Sequence, residues 1–243
     1  MQKLRPYVLC IGGFDPSGGA GVLADIKTLE QVKVMGLSVL TCNTLQTDKE
    51  LVTLDWFQTD DIVRAIRKLM KTYPIGYVKI GVVRNPAMLG QIVKELLSIR
   101  SSCKIIWDTV FGSSSGFDFF EFKNMELLQN VFSKLFLITP NSMEYDVLRQ
   151  YNLLHDRLSV LKKAGHNPEK IGGDVLFTAG EEIEIHNEQV KLPPKHGSGC
   201  VLATAITAYL ALGNDLETAC NLGKDYILKL LKSNDTLLGY HNE

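Results

Sequence analysis

The chain has 243 residues, of which 45% are hydrophobic and 22% are charged, a composition typical of a globular protein with an ordinary core. The formal net charge of -1 gives no reason to expect nucleic acid or an anionic membrane as a partner, and no apolar run reaches the length of a membrane span. The five cysteines are scattered without a Cys-x-x-Cys pair, and the first residues show no cleavage pattern. We therefore expect a cytoplasmic protein with free thiols and with no nucleic-acid or membrane partner.

In the first half of the chain, short apolar runs alternate with amphipathic segments. Residues 7–14 form an apolar run with two glycines near its end, which predicts a buried parallel strand and its turn into a helix. That helix is predicted over 21–36 with Gly36 as its stop, and a second strand is predicted over 37–46. Thr59 is in position to cap the next helix, whose first turn carries two aspartates.

The alternation continues in the second half of the chain. Pro86 after Asn85 marks the start of a helix, and Asn141 is a predicted N-cap. Residues 157–165 are predicted to be helical, and 174–192 to form antiparallel strands joined by turns. The other predicted strands cover 76–83, 104–111 and 135–140, and the other helices cover 85–97, 125–135, 141–151, 199–213 and 216–232.

Strands that alternate with helices predict a largely parallel sheet covered by helices on both faces. No repeat, low-complexity tract or linker interrupts the pattern, so residues 1–243 are predicted to form one domain. The tail over 233–243 is polar, which indicates a poorly ordered end. In such open sheets, ligands bind beyond the carboxyl ends of the strands.

The glycine-rich segment over 12–28 lies where the first strand meets the first helix. Its spacing matches neither a P-loop nor a dinucleotide-binding fingerprint, so the glycines either form a tight turn only or line a ligand. Asp25 stands inside the helix between apolar neighbours, where an aspartate is a poor helix former. It is either a solvated side chain or a carboxylate that binds an amine or a ring nitrogen of a ligand.

Two acidic residues follow predicted strands farther along the chain. Asp108 ends one strand, and Glu144 lies in the first turn of the helix after another. Both positions fall at carboxyl ends of strands, so we expect the two side chains to share one crevice. Either residue alone is commonly a cap or a surface acid, but the pair suits Mg²⁺, which prefers oxygen ligands and bridges to phosphates.

A short turn of Gly197, Ser198, Gly199 and Cys200 directly precedes a long run of helix formers. Backbone N–H groups at a helix N-terminus attract anions, and glycines let a phosphate approach the backbone closely. A thiol at this position can have a lowered pKa and accept a proton. The alternative is a plain turn followed by a cysteine that only packs in the core.

Five stretches occur in one order over most of the chain, namely GGFDPSGGAGVLADIKT, KIG, WDTV, LITPN and HGSGC. With these stretches, and with the Asn-x-x-Glu of Asn141 and Glu144, the chain resembles the hydroxymethylpyrimidine/phosphomethylpyrimidine kinases of thiamine synthesis. The resemblance implies a ribokinase-like three-layer αβα fold with a mostly parallel sheet and antiparallel edge strands. It also implies that ATP, with Mg²⁺, phosphorylates the hydroxymethyl group of a substituted pyrimidine and then the resulting monophosphate.

The resemblance assigns residues on the substrate side. It implies that Asp25 and Gln46 form hydrogen bonds with the amino group and ring nitrogens of the pyrimidine, and that Gly13 lies at the edge of the ring. Residues 197–200 match the anion hole of the family. Within that stretch, Cys200 matches the position of the catalytic base.

The resemblance also assigns residues on the nucleotide side. Asp108 and Glu144 match acidic positions around Mg²⁺ and the phosphates, and Asn141 is expected to lie with them. Family members have an apolar strand that ends in a Lys-Gly-Gly-His signature, for which only Lys170 and the glycines at 172–173 are predicted as a counterpart here. The stretch KLPPK replaces a threonine-rich stretch that usually precedes the anion hole.

Two other functions stay open beside the pyrimidine kinase. One is a pyridoxal or pyridoxine kinase, since these relatives usually carry an aspartate at the position of Cys200 but some use a cysteine. The other is a non-catalytic pyrimidine-binding relative, which the shortened nucleotide side suggests. Family members commonly form homodimers, so self-association is expected by resemblance alone.

Overall fold

A nine-stranded sheet forms the centre of the described part of the molecule. The structure is a computed structural model that describes residues 4–112, 116–164, 173–185 and 192–241. Its strands are β1 (Tyr7–Phe14), β2 (Met35–Gln46), β3 (Leu51–Trp56), β4 (Tyr77–Ile80), β5 (Lys104–Trp107), β6 (Leu137–Ile138), β7 (Ser159–Lys162), β8 (Val175–Thr178) and β9 (Glu181–Glu184). Its helices are α1 (Gly21–Gln31), α2 (Thr59–Thr72), α3 (Pro86–Ile99), α4 (Met125–Phe132), α5 (Ser142–Gln150), α6 (Ser198–Ala211) and α7 (Leu216–Lys232). None of these described helices is both long and apolar enough to cross a membrane.

The strand order across the sheet is β3-β2-β1-β4-β5-β6-β7-β8-β9. Neighbouring strands from β2 to β7 pair in parallel, whereas β3 at one edge and β8 and β9 at the other pair antiparallel. The predicted α/β architecture with antiparallel edge strands is therefore confirmed. Of the segment predicted as antiparallel strands, residues 186–191 lie outside the described ranges.

Each face of the sheet carries its own hydrophobic core. Leu9 and Ile11 of β1 point into the core beneath α2, α3, α4 and α5, whereas Val8 and Cys10 point into the core beneath α1, α6 and α7. Successive side chains of a strand alternate between the two faces, so a strand that is covered on both faces must be apolar throughout. This double burial explains why the central strands are continuous apolar runs in the sequence.

Two predicted helix boundaries are wrong. The first helix ends at Gln31 instead of at Gly36, because Lys33 adopts a left-handed conformation with φ of +66° and β2 already begins at Met35. The second helix does not use Thr59 as its cap. Its N-cap is the preceding Gln58, whose side chain makes no capping hydrogen bond.

The segment predicted to be helical over 157–165 contains the strand β7. This strand pairs in parallel with β6 and antiparallel with β8, and its first three residues are buried. A run of four residues is too short for periodicity to distinguish a strand from a helix, so pairing with the neighbouring strands decides. The edge strand β3 was not predicted, because none of its residues is buried and they do not form a continuous apolar run.

The C-terminal segment over 233–241 packs against the rest of the protein and is not the loose end that its polarity indicates. Lys195 Nζ donates hydrogen bonds to the carbonyl oxygens of Asn234 and Thr236, the latter at 2.6 Å. The backbone N–H of His196 donates to the carbonyl oxygen of Leu237 at 2.9 Å. Backbone carbonyl groups of this segment therefore accept hydrogen bonds from the two residues Lys195 and His196 that precede α6.

Candidate active site

The carboxyl ends of the parallel strands meet at one edge of the sheet, where most of the residues singled out from the sequence lie. Asp15 follows β1, Asp108 follows β5, Asn141 lies beyond β6, and Lys163 follows β7. The N-terminus of α6 lies against the same edge, because its residue Gly199 is next to the side chain of Lys163. The sheet and one helix terminus thus enclose the candidate site.

Gly197 joins the two glycine-rich turns of the chain. It is the N-cap of α6 and has a φ of +73°, a left-handed conformation that favours glycine. A Cβ at this position would overlap the carbonyl oxygen of Gly19 and lie 2.6 Å from the Cα of Ala20. Gly197 therefore allows the start of α6 to touch the turn after β1, and a larger residue would push the two apart.

Asp15 and His196 form a second link between the same turns. His196 Nε2 lies 2.8 Å from Asp15 Oδ2, and the N–H groups of Ser17 and Ala20 each donate to the Asp15 carboxylate at 2.8 Å. Burial opposes the ionisation of this carboxyl, but the hydrogen bonds from His196 and Ser17 hold the pKa of Asp15 below its ordinary value. The glycine-rich turn is thus folded around the negative charge of Asp15. The same carboxylate joins this turn to His196, the residue before Gly197.

The first turn of α6 presents unpaired backbone donors. Within the described part of the chain, the N–H groups of Gly199 and Cys200 have no acceptor, whereas that of Ser198 donates to the carbonyl oxygen of Lys195 at 3.3 Å. The ammonium group of Lys163 lies 3.3 Å from the position that a Cβ at Gly199 would occupy. Two free N–H groups and a cation at a helix N-terminus suit an anion such as a phosphate.

Lys163 is a residue of this site that the sequence-based prediction missed. It directly follows β7, so it stands at the end of a short apolar strand, which is the kind of place where the lysine of the signature was expected from the sequence. The helix predicted over 157–165 concealed that strand end. The signal for it was a short apolar run followed by two lysines. Lys170, which was predicted for this role, lies outside the described residues.

Asp108 is fully buried beside Lys163. Its Oδ1 accepts hydrogen bonds from Lys163 Nζ and from Thr139 Oγ1, each at 2.9 Å. Burial opposes ionisation, but the charges of Lys163 and Lys79 together with these hydrogen bonds hold the pKa of Asp108 below its ordinary value. Its Oδ2 is buried and has no partner among the residues that the structure describes. An ionised, buried oxygen without a donor is well suited to a cation.

Asn141 and Glu144 bond mainly to each other. Asn141 Oδ1 accepts from the N–H of Glu144 at 2.9 Å, and Glu144 Oε2 accepts from the N–H of Asn141 at 2.8 Å, which forms a capping box at the start of α5. Burial raises the pKa of Glu144, and the charge of Lys163 opposes this rise. Over the described ranges, no three His, Cys, Asp or Glu side chains converge on one metal position. The roles of both residues towards phosphate and Mg²⁺ stay predictions.

Asp25 is fully buried and ionically paired inside the protein. Lys79 Nζ donates to both of its carboxylate oxygens at 3.0 Å, and Thr204 Oγ1 donates to Oδ1 at 2.6 Å. The alternative of a solvated aspartate is therefore wrong. A direct bond to a ligand stays a prediction, but the ion pair with Lys79 already explains why an aspartate stands in an apolar helix.

Cys200 occupies the third position of α6 and is partly exposed, whereas the other four cysteines are buried. Burial raises the pKa of the Cys200 thiol to about 12, although the charges of Lys79 and Lys163 lower it. Asp108 and Asp25 add to the rise. The prediction of a lowered pKa is therefore wrong for the resting protein, because the loss of solvent outweighs the two ammonium groups.

Gly13 and Gln46 lie on the two neighbouring strands β1 and β2. A Cβ at Gly13 would lie 2.9 Å from Cys42 Sγ, so a side chain there would displace a buried neighbour. Gln46 is partly buried and lies on the part of β2 that continues past Phe14, the last residue of β1. Contact of Gly13 and Gln46 with a pyrimidine stays a prediction.

The close approach at Gly197 is testable by substitution. We expect Gly197→Ala to lower the melting temperature more than Gly213→Ala, which is the matched control at the other end of α6. Both glycines have a positive φ, so both changes cost about 1–2 kcal/mol of backbone strain. Only the Cβ at position 197 also meets backbone atoms, because nothing lies within 4 Å of a Cβ at Gly213. Equal melting temperatures of the Gly197→Ala and Gly213→Ala variants, measured by circular dichroism, would contradict the contact between the two turns.

The raised pKa of Cys200 predicts how the reactivity of this thiol depends on pH. Only the thiolate reacts with iodoacetamide, and its fraction grows as the pH rises towards a pKa of about 12. We expect the alkylation rate of Cys200 to increase from about pH 7 to about pH 9.5 without a plateau. Mass spectrometry of the alkylated peptide measures the rate, with Cys200→Ala as the blank. A plateau near neutral pH would show instead that the helix N-terminus lowers the pKa.

Comparison with known sequences gives matches over nearly the whole chain. The family model described as phosphomethylpyrimidine kinase matches residues 15–243. The chain is 30% identical to the hydroxymethylpyrimidine/phosphomethylpyrimidine kinase of Aquifex aeolicus over 94% of this chain and 95% of that protein. It is 31% identical to the bifunctional thiamine biosynthesis protein ThiDN of Methanocaldococcus jannaschii over 97% of this chain and 55% of that protein.

Solved structures of related proteins share the fold. The crystal structure of phosphomethylpyrimidine kinase from Clostridium difficile 630 matches with a TM-score of 0.75 and 29% identity, over 94% of this chain and all of that one. The pyridoxal kinase of Staphylococcus aureus in complex with ADP matches with a TM-score of 0.78 over 95% of this chain and 89% of that one, and its 18% identity supports the ribokinase-like fold alone. The family model, the relatives and the fold agree that the chain belongs to the phosphomethylpyrimidine kinase family.

Proposed function

We propose that the protein transfers the γ-phosphoryl group of ATP to the hydroxymethyl group of hydroxymethylpyrimidine and then phosphorylates the monophosphate, two steps of thiamine biosynthesis. The observation that carries this proposal is the convergence of the free N–H groups of Gly199 and Cys200 with the ammonium group of Lys163. Membership in a kinase family supports phosphoryl transfer, and the names of its relatives support the pyrimidine substrate.

The proposed phosphate site lies at the start of α6. Phosphoryl transfer needs little covalent chemistry from a protein, so positioning and charge stabilisation account for most of the catalysis. Fixed N–H groups that point at the transferring phosphoryl oxygens stabilise the charge that develops there. The rigid contact at Gly197 holds these donors in place before a ligand arrives. Lys163 adds a full positive charge beside them.

Asp108 and Glu144 are the residues that we propose for Mg²⁺. The unpartnered Oδ2 of Asp108 fits a cation that prefers carboxylate oxygen, and Glu144 lies close enough to Lys163 and Asp108 for their charges to affect one another. A bound Mg²⁺ would supply positive charge to the ATP phosphates. Asp108 itself is held in place by Thr139 and Lys163, so its free oxygen keeps a fixed direction.

On the substrate side, we propose that the pyrimidine lies between the ends of β1 and β2, near Gly13 and Gln46. Cys200 would then take the proton from the attacking hydroxyl group. Since the resting thiol is neutral, its own proton must first pass to a solvent water molecule, and the resulting thiolate can then accept the proton of the hydroxyl group. We further propose that Asp25 acts on this site through Lys79 instead of by direct contact with the ring.

The first experiment separates the pyrimidine from pyridoxal. ATP consumption is measured with hydroxymethylpyrimidine, its monophosphate and pyridoxal as separate acceptors at equal concentration. We expect turnover with the two pyrimidines, because the relatives with about 30% identity are pyrimidine kinases, whereas the pyridoxal kinase matches at 18% identity. Turnover with pyridoxal alone would overturn the proposed substrate, and calorimetric binding without turnover would favour a non-catalytic relative. Self-association stays a prediction.

Lys163→Gln tests the proposed phosphate site. Glutamine keeps a donor for Asp108 but removes the positive charge. We expect kcat/KM for ATP to fall roughly ten- to hundredfold, which corresponds to the about 1.5–3 kcal/mol of one hydrogen bond with a charged group. The matched control is Lys162→Gln, because Lys162 Nζ lies 4.8 Å from the centre of the Tyr145 ring and takes no part in the site. Equal kinetics in both variants would remove Lys163 from the site.

A further inference from the structure

Lys79 is a buried cation whose only part in the function proposed above is its pairing with Asp25. It lies on β4 near the carboxyl end of that strand and is only 1% exposed. A Cβ at Gly81, two residues farther along the chain, would lie 3.1 Å from its Nζ, so the ammonium group lies beside the end of its own strand. Removing a charge from water is costly, and a buried lysine therefore requires both a partner and a reason.

The partner of Lys79 links three elements of the fold. Asp25 of α1 accepts from Lys79 Nζ with both oxygens at 3.0 Å and from Thr204 Oγ1 of α6 at 2.6 Å. Thr204 lies one helical turn after Cys200, so the two side chains share one face of α6. Asp25 and Lys79 therefore lie on the side of α6 that also carries the thiol.

Charged groups face Cys200 from several elements. They are Lys79 of β4, Asp108 after β5, Asp25 of α1 and Lys163 after β7. Lys79 has the largest effect among them and favours the thiolate, whereas Asp25 opposes it more weakly. Burial opposes the charged form of Lys79, but Asp25 and the other acidic groups raise the pKa of Lys79, so it keeps its proton. The remaining neighbour is Cys10 of β1, whose pKa burial raises, so it stays neutral.

We propose that Lys79 is a positioning residue for Cys200: Asp25, itself held by Thr204 of α6, keeps the Lys79 ammonium group on the face of α6 that carries Cys200, where it promotes loss of the thiol proton. The inference rests on the proposed function, in which Cys200 receives the proton of the attacking hydroxyl group. It adds a residue that does not touch the substrate and acts only through the thiol. It also explains why α1 carries an aspartate that is closed off from solvent.

The test measures the thiol itself and needs neither ATP nor a pyrimidine. The rate of Cys200 alkylation by iodoacetamide is measured at one mildly alkaline pH in wild type, in Lys79→Met and in the double variant Asp25→Asn/Lys79→Met. Cys200→Ala is the blank. The double variant removes both charges at similar volume, which proteins commonly tolerate better than one unpaired buried charge.

The matched control is a second buried ion pair, the one between Lys224 Nζ and Asp174 Oδ2 at 2.8 Å. Asp174→Asn/Lys224→Met removes the same two charges away from Cys200. We expect alkylation of Cys200 to slow by about tenfold in Asp25→Asn/Lys79→Met, as one pKa unit requires, and to stay at the wild-type rate in the control pair. Peptide mass spectrometry verifies folding at the same time, because an unfolded variant would also alkylate the four buried cysteines.

A wild-type alkylation rate in folded Asp25→Asn/Lys79→Met would overturn the inference and leave the pair with a structural role only. If Lys79→Met fails to fold, the double variant decides alone. Failure of the proposed function would give a different result. The wild-type protein would then consume no ATP with any of the acceptors, whereas alkylation of Cys200 would still slow in the double variant. Slow alkylation in the double variant, with normal ATP turnover in Cys200→Ala, would support the action of Lys79 on the thiol and contradict the role of Cys200 as the base.

Discussion

The contact of Gly197 with Gly19 and Ala20 is the constraint on which the rest of the site depends. It sets the start of α6 against the turn after β1 at a distance that only a residue without a side chain permits. The position of α6 in turn decides where its free N–H groups point and where the thiol of Cys200 lies. The hydrogen bond between Asp15 and His196 secures the same junction with a charge.

Two buried lysine–aspartate pairs lie beneath that junction. Lys79 pairs with Asp25, which also bonds to Thr204 of α6, and Lys163 pairs with Asp108 next to Gly199. Each cation is balanced by an acid, which makes the burial of four charges tolerable. Among the residues that the structure describes, the balance leaves two features available for a ligand, the ammonium of Lys163 next to free amides and one unpartnered oxygen of Asp108. A site of this kind is ready for an anion and a cation together, as a nucleotide phosphate with its metal is.

The sequence allowed prediction of the architecture and of several site positions, but not of their partners. Strands buried on both faces give unmistakable apolar runs, and Asn141 with Glu144 predicts a cap that is present. Lys163 was missed because β7 is only four residues long, and the neighbouring strands that define it are distant in sequence. Asp25 was identified as unusual, yet its partner Lys79 lies on the strand β4, 54 positions later, and could not be inferred from spacing. The pKa of Cys200 was misjudged because burial depends on the whole fold, whereas a helix N-terminus is visible locally.

The junction between the turn after β1 and the start of α6 can form only late in the synthesis of the chain. Asp15 and His196 are 181 positions apart, and Asp25 and Thr204 are 179 apart, so the first strand–helix unit of the chain receives its partners only after α6 has left the ribosome. Until then, Asp25 has no Thr204 and the surface of α1 that faces α6 remains open to water. Contacts of such high sequence separation delay the rate-limiting step of folding. The nascent chain would therefore carry an exposed apolar face for most of its synthesis, and this face is prone to aggregation until α6 covers it.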